Sequence, residues 1–568
     1  MQKLLGFLRP YLKYIILGPI FKLLEALFEL IVPVVMAKVI DNGIASGDAA
    51  YVWKLCGLIV LLGICGLGFA LTCQYFASKC AFSFGTDLRS ALFRHIHTLS
   101  PAEIDRLGSS TLINRITNDV TSSQQGVNMA IRLGTRAPFL VIGAIVMTLL
   151  IDWQLSLIFL LIAPILGFVL YAVLTRTIPM YTRNQQKLDG ITRHTGESLD
   201  GVRVIRAFSK QKQETEAFAA QCGELEQSMI AAGRISAILN PLTFLIMNLG
   251  IAAVLWFGGL QIDAGRLSQG DLTAFTNYMT QILLAGVQLA NLIQILTKAQ
   301  ASSLRVAEVL ETQPSMQQGQ ASPEISSEAI RMEHVSFTYA GAAHPALEDI
   351  SFTLQTGQML GIIGGTGSGK STLAALIQRN YDATSGTVSV FGRDVREYDT
   401  RSLNRVIGAA PQKAVLFTGT IEENLRWADA NASDASLRNA VEIAQAAEFV
   451  DQLQYGLKTH LVQGGRNLSG GQKQRLTIAR ALVGEPRMLI LDDSMSALDY
   501  ATDAALRQAL HDRCKGLTTV VISQRATSLR SADLILVLDD GKCVGQGTHD
   551  ELLETCDVYR EIYESQNA

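Results

Sequence analysis

Gly364-Gly365-Thr366-Gly367-Ser368-Gly369-Lys370-Ser371-Thr372 stands between an apolar run, Met359 to Ile363, and a run with helical character, Leu373 to Gln378. A strand that enters a glycine-rich turn and leaves it as a helix makes a phosphate cradle. Backbone N–H groups of the turn and the helix N-terminus face a triphosphate, Lys370 reaches the outer phosphates, and the Ser371 hydroxyl ligates Mg²⁺. The stretch predicts a nucleotide site in an α/β domain. What happens to the nucleotide is written elsewhere in the chain.

Upstream of this stretch the composition changes. Of 568 residues, 48% are hydrophobic, and the mean hydropathy is +0.24. Apolar residues gather in the first half as long runs rather than amphipathic stripes. A net charge of -3 and the lack of a polybasic tail give no reason to expect a nucleic-acid partner. The eight cysteines are scattered without a C-x-x-C pair, so neither a disulfide framework nor a metal cluster is expected. Met1 to Pro10 lacks a signal-peptide cleavage pattern, and the chain is expected to enter a lipid bilayer through its own helices.

A bilayer core needs about 20 apolar residues per helix. Six segments qualify, at about 14–39, 52–77, 135–151, 154–174, 238–259 and 272–295. The connections near 80–134 and 175–237 are long, polar and helical in pattern, and carry Arg89, Arg94, Arg115, Arg176, Arg183, Arg203 and Arg206 among other cations. The remaining loops are short and poor in Lys and Arg. By the positive-inside rule the long connections and both termini are cytoplasmic. Lys22, Glu25 and Glu29 share one face of the first segment. Such charges either touch substrate in a translocation pathway or pair, as an internal salt bridge near the cytoplasmic mouth or across a subunit interface. Residues 312–329 turn to Gln, Ser, Pro and Gly, the signature of a linker. The expected domains are therefore a membrane all-α six-helix domain with cytoplasmic helical extensions (1–311), a linker (312–329) and an α/β nucleotide-binding domain (330–568).

Three further features of the second half bear on chemistry. Tyr339 ends an alternating strand, where its ring either stacks on adenine or packs against the strand end. Arg487 to Asp493 reads as a buried strand ending in paired carboxylates. In nucleotide hydrolases the first such Asp holds Mg²⁺ and its neighbour can orient water. Leu468-Ser469-Gly470-Gly471-Gln472 opens a second helix whose bare amides suit an anion, although Ser-Gly-Gly also makes an ordinary N-cap.

Taken in order, Tyr339, the glycine loop, Gln412, Leu468–Gln472, Asp492–Asp493, Ser496-Ala497-Leu498-Asp499 and the position of Gln524 resemble the ABC transporters, in particular half-size ABC exporters. The resemblance spans essentially the whole chain. It implies two ATPase domains closing head to tail around two ATP molecules. Tyr339 would stack on adenine, and Gly364, Gly365, Thr366, Gly367, Ser368, Gly369, Lys370, Ser371 and Thr372 would wrap the phosphates. Ser371, Gln412 and Asp492 would form the Mg²⁺ shell, while Ser469, Gly470, Gly471 and Gln472 would cap the γ-phosphate bound to the partner. Thr111–Asp119 and Gly201–Phe208 match the stretches that couple the ATPase to the membrane helices.

Two departures alter the expected activity. Asp493 stands where the family usually has the catalytic Glu, and its carboxylate is one methylene short. Gln524 stands where the family usually has His, and an amide carries no proton or positive charge. The stretch Val462-Gln463-Gly464-Gly465 also departs from the pattern common in homodimeric exporters. The expectation is a degenerate ATP site, paired through an intact signature with a non-identical half-transporter. A slow homodimer, a nucleotide-gated regulatory subunit and an importer that shares the exporter fold stay open as alternatives. The transported substrate, whether small molecule, peptide or lipid, is not legible. The compact layout suggests a bacterial plasma membrane.

Overall fold

The computed structural model describes Leu4, residues 6–324 and residues 326–567. It divides into two compact units, Met1–His97 with Ser110–Thr312, and Thr98–Ser109 with Gln313–Ala568.

The first unit is helical. Its long helices are α1 (Leu12–Lys38), α2 (Ala49–Ile96), α3 (Arg136–Ile151), α4 (Trp153–Asp200), α5 (Gln211–Asp263) and α6 (Gln269–Glu311). Among the described residues, five helical stretches are long and apolar enough to cross a membrane. Each of the last five expected segments falls within one of them. The first expected segment is α1, whose 27 residues exceed the span of a bilayer core, but whose Lys22, Glu25 and Glu29 dilute its apolar run. At 1.5 Å per residue the 48, 48 and 53 residues of α2, α4 and α5 make rods about 70–80 Å long, more than twice the hydrocarbon thickness. These rods account for the long polar connections seen in the sequence.

The short connections are closed by side-chain caps. Asp152 accepts from Leu155 N at 2.7 Å, so α3 turns into α4 across a single residue. Asp41 accepts from Gly270 N at 2.8 Å, tying the α1–α2 turn to the start of α6. Gly270 has no room for a Cβ, which would meet the Ala37 carbonyl. In the interior, the buried Tyr278 hydroxyl donates to Leu30 O at 2.6 Å. Large apolar side chains such as Leu150 and Trp256 stay exposed, as suits a lipid-facing surface.

The charges of α1 pair internally. Lys22 Nζ lies 2.6 Å from Glu25, and Glu29 accepts from Arg136 Nη2 at 2.8 Å while Arg136 Nη1 reaches Gln288 at 2.9 Å. Of the two readings left open by the sequence, pairing describes these side chains.

The second unit is built on two main sheets. The antiparallel one has the order β2 (Leu347–Gln355), β1 (Glu328–Phe337), β4 (Ser385–Val390), β5 (Arg393–Asp394). The other is ordered β12 (Lys542–Gly547), β11 (Leu534–Asp539), β3 (Met359–Gly364), β10 (Thr518–Ile522), β9 (Met488–Asp492), β6 (Ile407–Ala410), with a minor pair β7 (Gly419–Thr420) and β8 (His460–Leu461) alongside. Strands β11, β3, β10, β9 and β6 run parallel, and only β12 at the edge is antiparallel. The parallel strands read as continuous apolar runs because both faces are covered. One face packs Leu360, Ile362, Ile490 and Val520 toward the antiparallel sheet, and the other packs Ile363, Leu489, Leu491 and Val521 toward the helices.

Two segments of this unit lie outside the region where the sequence pattern locates its strands. Residues 313–324 are laid along it: the buried Arg379 donates to Gln317 O at 2.5 Å and Ala321 bridges to Tyr398. The short helix Pro101–Leu107 also belongs to it, although in sequence it interrupts the membrane half. Its Ser100 cap and Glu103 form a capping box, and Glu103 accepts from Ser315 N at 3.2 Å.

Candidate nucleotide site

Parallel sheets collect function at the carboxyl ends of their strands. Here the ends of four neighbouring strands carry the expected site residues. Ile522 pairs with both Ile362 and Asp492, and Ala410 with Leu491. Gly364 ends β3, Gln524 follows β10, Asp492 ends β9 with Asp493 just beyond it, and Gln412 follows β6.

The glycine loop leaves β3 at Gly364 and enters helix α7 (Lys370–Ile377) through Gly369. Gly369 sits at φ 95°, and a Cβ there would stand 2.6 Å from Ala346 O. Only glycine suits both conditions. Lys370 Nζ folds over the loop, donating to Gly364 O at 3.0 Å and Gly365 O at 2.5 Å. Ser371 Oγ donates to Asp492 Oδ1 at 3.0 Å. Gly365, Thr366 and Gly367 are exposed at the tip of the loop, where their amides could serve a phosphate.

Asp493 has φ 45°, a left-handed conformation that Asp tolerates better than most residues. Its N–H bonds Ile522 O at 3.0 Å, and its carboxylate accepts from Gln412 Nε2 at 3.4 Å. Burial pushes the carboxyls of both Asp492 and Asp493 above the usual range, and pushes the Lys370 ammonium down. Charges held dry in this way are relieved by a ligand that brings its own cation and anion. The donors fit Mg²⁺, since Ser371, Asp492 and Gln412 offer hard oxygens. Among the described residues no group of three or more His, Cys, Asp or Glu is placed to hold a metal ion by itself. Phosphate and water oxygens would fill the remaining positions.

Tyr339 is half-exposed, and its hydroxyl lies 3.0 Å from Thr372 Oγ1. Its ring meets those of Phe337 and Tyr381 edge-on, at centroid distances of 4.8 and 5.4 Å. The ring is thus held beside the loop and remains partly open to solvent. Gln524 is exposed.

Among the described residues, the side-chain hydrogen bonds of Ser469 and Gln472 stay within their own capping box and do not reach the glycine loop of the same chain. Ser469 caps helix α8 (Gly470–Val483), accepting from Gln472 N at 3.3 Å while Gln472 Oε1 accepts from Ser469 N at 2.9 Å. Ser469 and Gly470 are exposed, and a Cβ on Gly471 would meet Ala497 O at 3.2 Å. An outward-facing helix N-terminus of this kind can serve a phosphate on another chain. Farther along α8, the buried Gln474 donates to Pro411 O at 3.2 Å, fastening the helix to the Gln412 loop.

Sequence reasoning missed Gln474, Tyr381 and Asp105, all of which shape the site. Tyr381 and Asp105 carry no motif, while Gln474 sits two residues past the signature and a buried helical Gln there is a legible signal.

Residues 15–285 match the family model described as ABC transporter transmembrane region, and residues 347–496 match the one described as ABC transporter. An uncharacterized ABC transporter ATP-binding protein of Mycobacterium tuberculosis strain H37Rv is 39% identical over 569 residues, covering 99% of this chain and 97% of the relative. The YfiB protein of Bacillus subtilis, also described as an uncharacterized ABC transporter ATP-binding protein, is 38% identical, covering 100% and 98%. The solved structure of a bacterial Atm1-family ABC exporter with ATP bound superposes with a TM-score of 0.83 at 23% identity, covering 98% of this chain and 99% of that one.

Proposed function

The chain belongs to the ABC transporters, with a transmembrane region and an ATP-binding domain in one half-transporter, and on that premise we propose that it is one subunit of a heterodimeric exporter whose own nucleotide site holds ATP but turns it over slowly. Half-transporters of this family act as dimers in a bilayer. The observation that carries the reading is Asp493: a short carboxylate, drawn toward Gln412 at 3.4 Å, in the position of the water-orienting Glu. Gln524 adds to it, because its amide offers hydrogen bonds to a phosphate but no charge.

The chain's residues divide the work as follows. Tyr339 stacks on the base, the amides of Gly365–Gly369 and Lys370 hold the phosphates, and Ser371, Gln412 and Asp492 hold Mg²⁺. When bound, Mg²⁺ neutralises the outer phosphate oxygens. Ser469, Gly470 and Gly471 reach the γ-phosphate on the partner, so that dimer closure depends on an intact triphosphate. Gln474 on Pro411 O links that signature helix to the Gln412 loop, and the Thr111–Asp119 and Gly201–Phe208 stretches carry closure to the helices. Both termini face the cytoplasm by the charge bias of the connections. The substrate is a small molecule, peptide or lipid.

The reading is tested by purifying the chain alone and together with a candidate partner half-transporter that carries Glu and His at the positions of Asp493 and Gln524. The chain alone should hydrolyse ATP poorly. In the pair, Asp493→Asn should leave most turnover intact, while removing the partner's catalytic carboxylate abolishes it. Equal loss from both changes would establish two competent sites and sink the asymmetric reading.

A further inference from the structure

The loop that carries Gln524 is held from behind by a side chain more than 40 residues away. Gln566 Nε2 donates to Gln524 O at 2.6 Å, and Gln566 Oε1 accepts from Ala526 N at 2.8 Å. A primary amide copies the donor and acceptor of a peptide group. Gln566 therefore serves the loop as a neighbouring strand would, at the point where β10 has ended. The terminal helix Asp557–Asn567 places it there: Tyr559, Ile562 and Tyr563 pack against the core at helical spacing, and Gln566 extends that same face by one turn.

The other side of the loop is also tied. Arg525 N donates to Ser523 Oγ at 3.0 Å. The Arg525 guanidinium lies 4.7 Å from the Tyr500 ring centroid and reaches Ser496 O at 3.3 Å. The backbone around Gln524 is fastened by these bonds while Gln524 itself stays exposed, two residues beyond the end of β10, the strand that pairs with those carrying the glycine loop and Asp492.

We propose that Gln566 is a positioning residue for Gln524, and that the terminal helix thereby sets how well this site distinguishes ATP from ADP. The inference rests on the proposed function, in which the Gln524 amide hydrogen-bonds a phosphate, and takes that phosphate to be the terminal one. Gln566 touches no ligand; it holds the Cα of Gln524 where the amide can reach a terminal phosphate that ADP lacks.

The test uses the full-length chain in lipid nanodiscs, with ATP and ADP each competing against a fluorescent ATP analogue. Gln524→Ala should lower the ratio of ATP to ADP affinity by about threefold to tenfold, the range for one or two neutral hydrogen bonds. Gln566→Ala should do the same, and so should Gln566→Glu, which keeps the acceptor for Ala526 N but sets a carboxylate oxygen against Gln524 O. The double variant Gln524→Ala/Gln566→Ala should be no worse than Gln524→Ala alone, because one residue acts through the other. Glu564→Ala, exposed on the same helix, should change nothing. If Gln524→Ala lowers the ratio and Gln566→Ala does not, or if their effects add, the positioning role is wrong. If Gln524→Ala itself leaves the ratio unchanged, the γ-phosphate reading fails and the inference falls with it.

Discussion

The Tyr381 hydroxyl donates to Asp105 at 2.5 Å, joining residues 276 positions apart. Burial and this bond push the Tyr381 phenol up, so it stays a donor. Its ring in turn stands edge-on to Tyr339, at 82°. The short helix Pro101–Leu107 thus buttresses the aromatic cluster of Tyr339 and Tyr381, the wall proposed to stack on the base.

Removing parts of that wall should act on the base and not on the phosphates. Tyr339→Ala should weaken ATP binding by about 1–3 kcal/mol, the worth of one base stacked on an aromatic ring. Tyr381→Phe, which keeps the ring and loses only the bond to Asp105, should cost less, about 0.5–1.5 kcal/mol. Inorganic tripolyphosphate should bind both variants as it binds the parent, and competition against a fluorescent nucleotide measures all of these affinities.

Gly369→Ala should behave in the opposite way. The added methyl meets Ala346 O in a backbone at φ 95°, a strain of roughly 1–3 kcal/mol that the loop can relieve only by moving. ATP and tripolyphosphate affinities should fall together, and by the same factor. A loss confined to ATP would show that the loop geometry had survived.

Glu103 supplies a pH signature. Burial alone would raise its carboxyl, but hydrogen bonds from Ser100 and Ser315 outweigh it and hold the group below the usual range. A carboxyl lowered by folding stabilises the fold above its unfolded pKa, about 4.3, and loses that contribution as pH falls through the folded value. Glu103→Gln turns an amide N–H₂ or a weaker acceptor toward these donors and should cost about 1–3 kcal/mol at neutral pH. Thermal melts of variant and parent should converge as the pH drops below about 4.3. A gap that persists unchanged would assign Glu103 a purely steric role.

The pair of Glu29 and Arg136 predicts a compensation. Glu29→Gln leaves the Arg136 guanidinium with Gln288 as its main partner inside a membrane helix bundle, and should lower stability by about 1.5–3 kcal/mol. Adding Arg136→Gln removes the orphaned charge and should recover most of the loss. Melting of the detergent-solubilised protein reads both. If the double variant is the less stable one, the pair does more than neutralise itself.

Much of the site is legible without coordinates because its chemistry is local. Gly364 to Thr372 form a contiguous turn whose function follows from its own backbone, and Ser469 to Gln472 cap their own helix by a side chain three residues away. Long apolar runs likewise announce membrane helices, since the bilayer imposes a length on each one separately. The first of them shows the limit of this reasoning: Lys22, Glu25 and Glu29 interrupt the apolar run of α1 and composition counts them against it, yet Lys22 pairs with Glu25 one turn away and Glu29 is met by Arg136, more than 100 residues away.

The glycine loop and the Leu468–Gln472 stretch were thus legible in the amino-acid sequence alone, each a feature of adjacent residues, while the roles proposed for Asp492, Asp493 and Gln524 came from the resemblance of the whole ordered set to a family. Tertiary structure alone decided what holds them in place. The helix Pro101–Leu107 lies in the membrane half of the sequence yet clusters with the ATPase unit, and the Gln412 loop is tied to α8 by Gln474. Gln566 grips the backbone on either side of Arg525. Hydrogen bonds between distant segments depend on where the sheet brings strand ends together, and neither periodicity nor motif encodes that meeting.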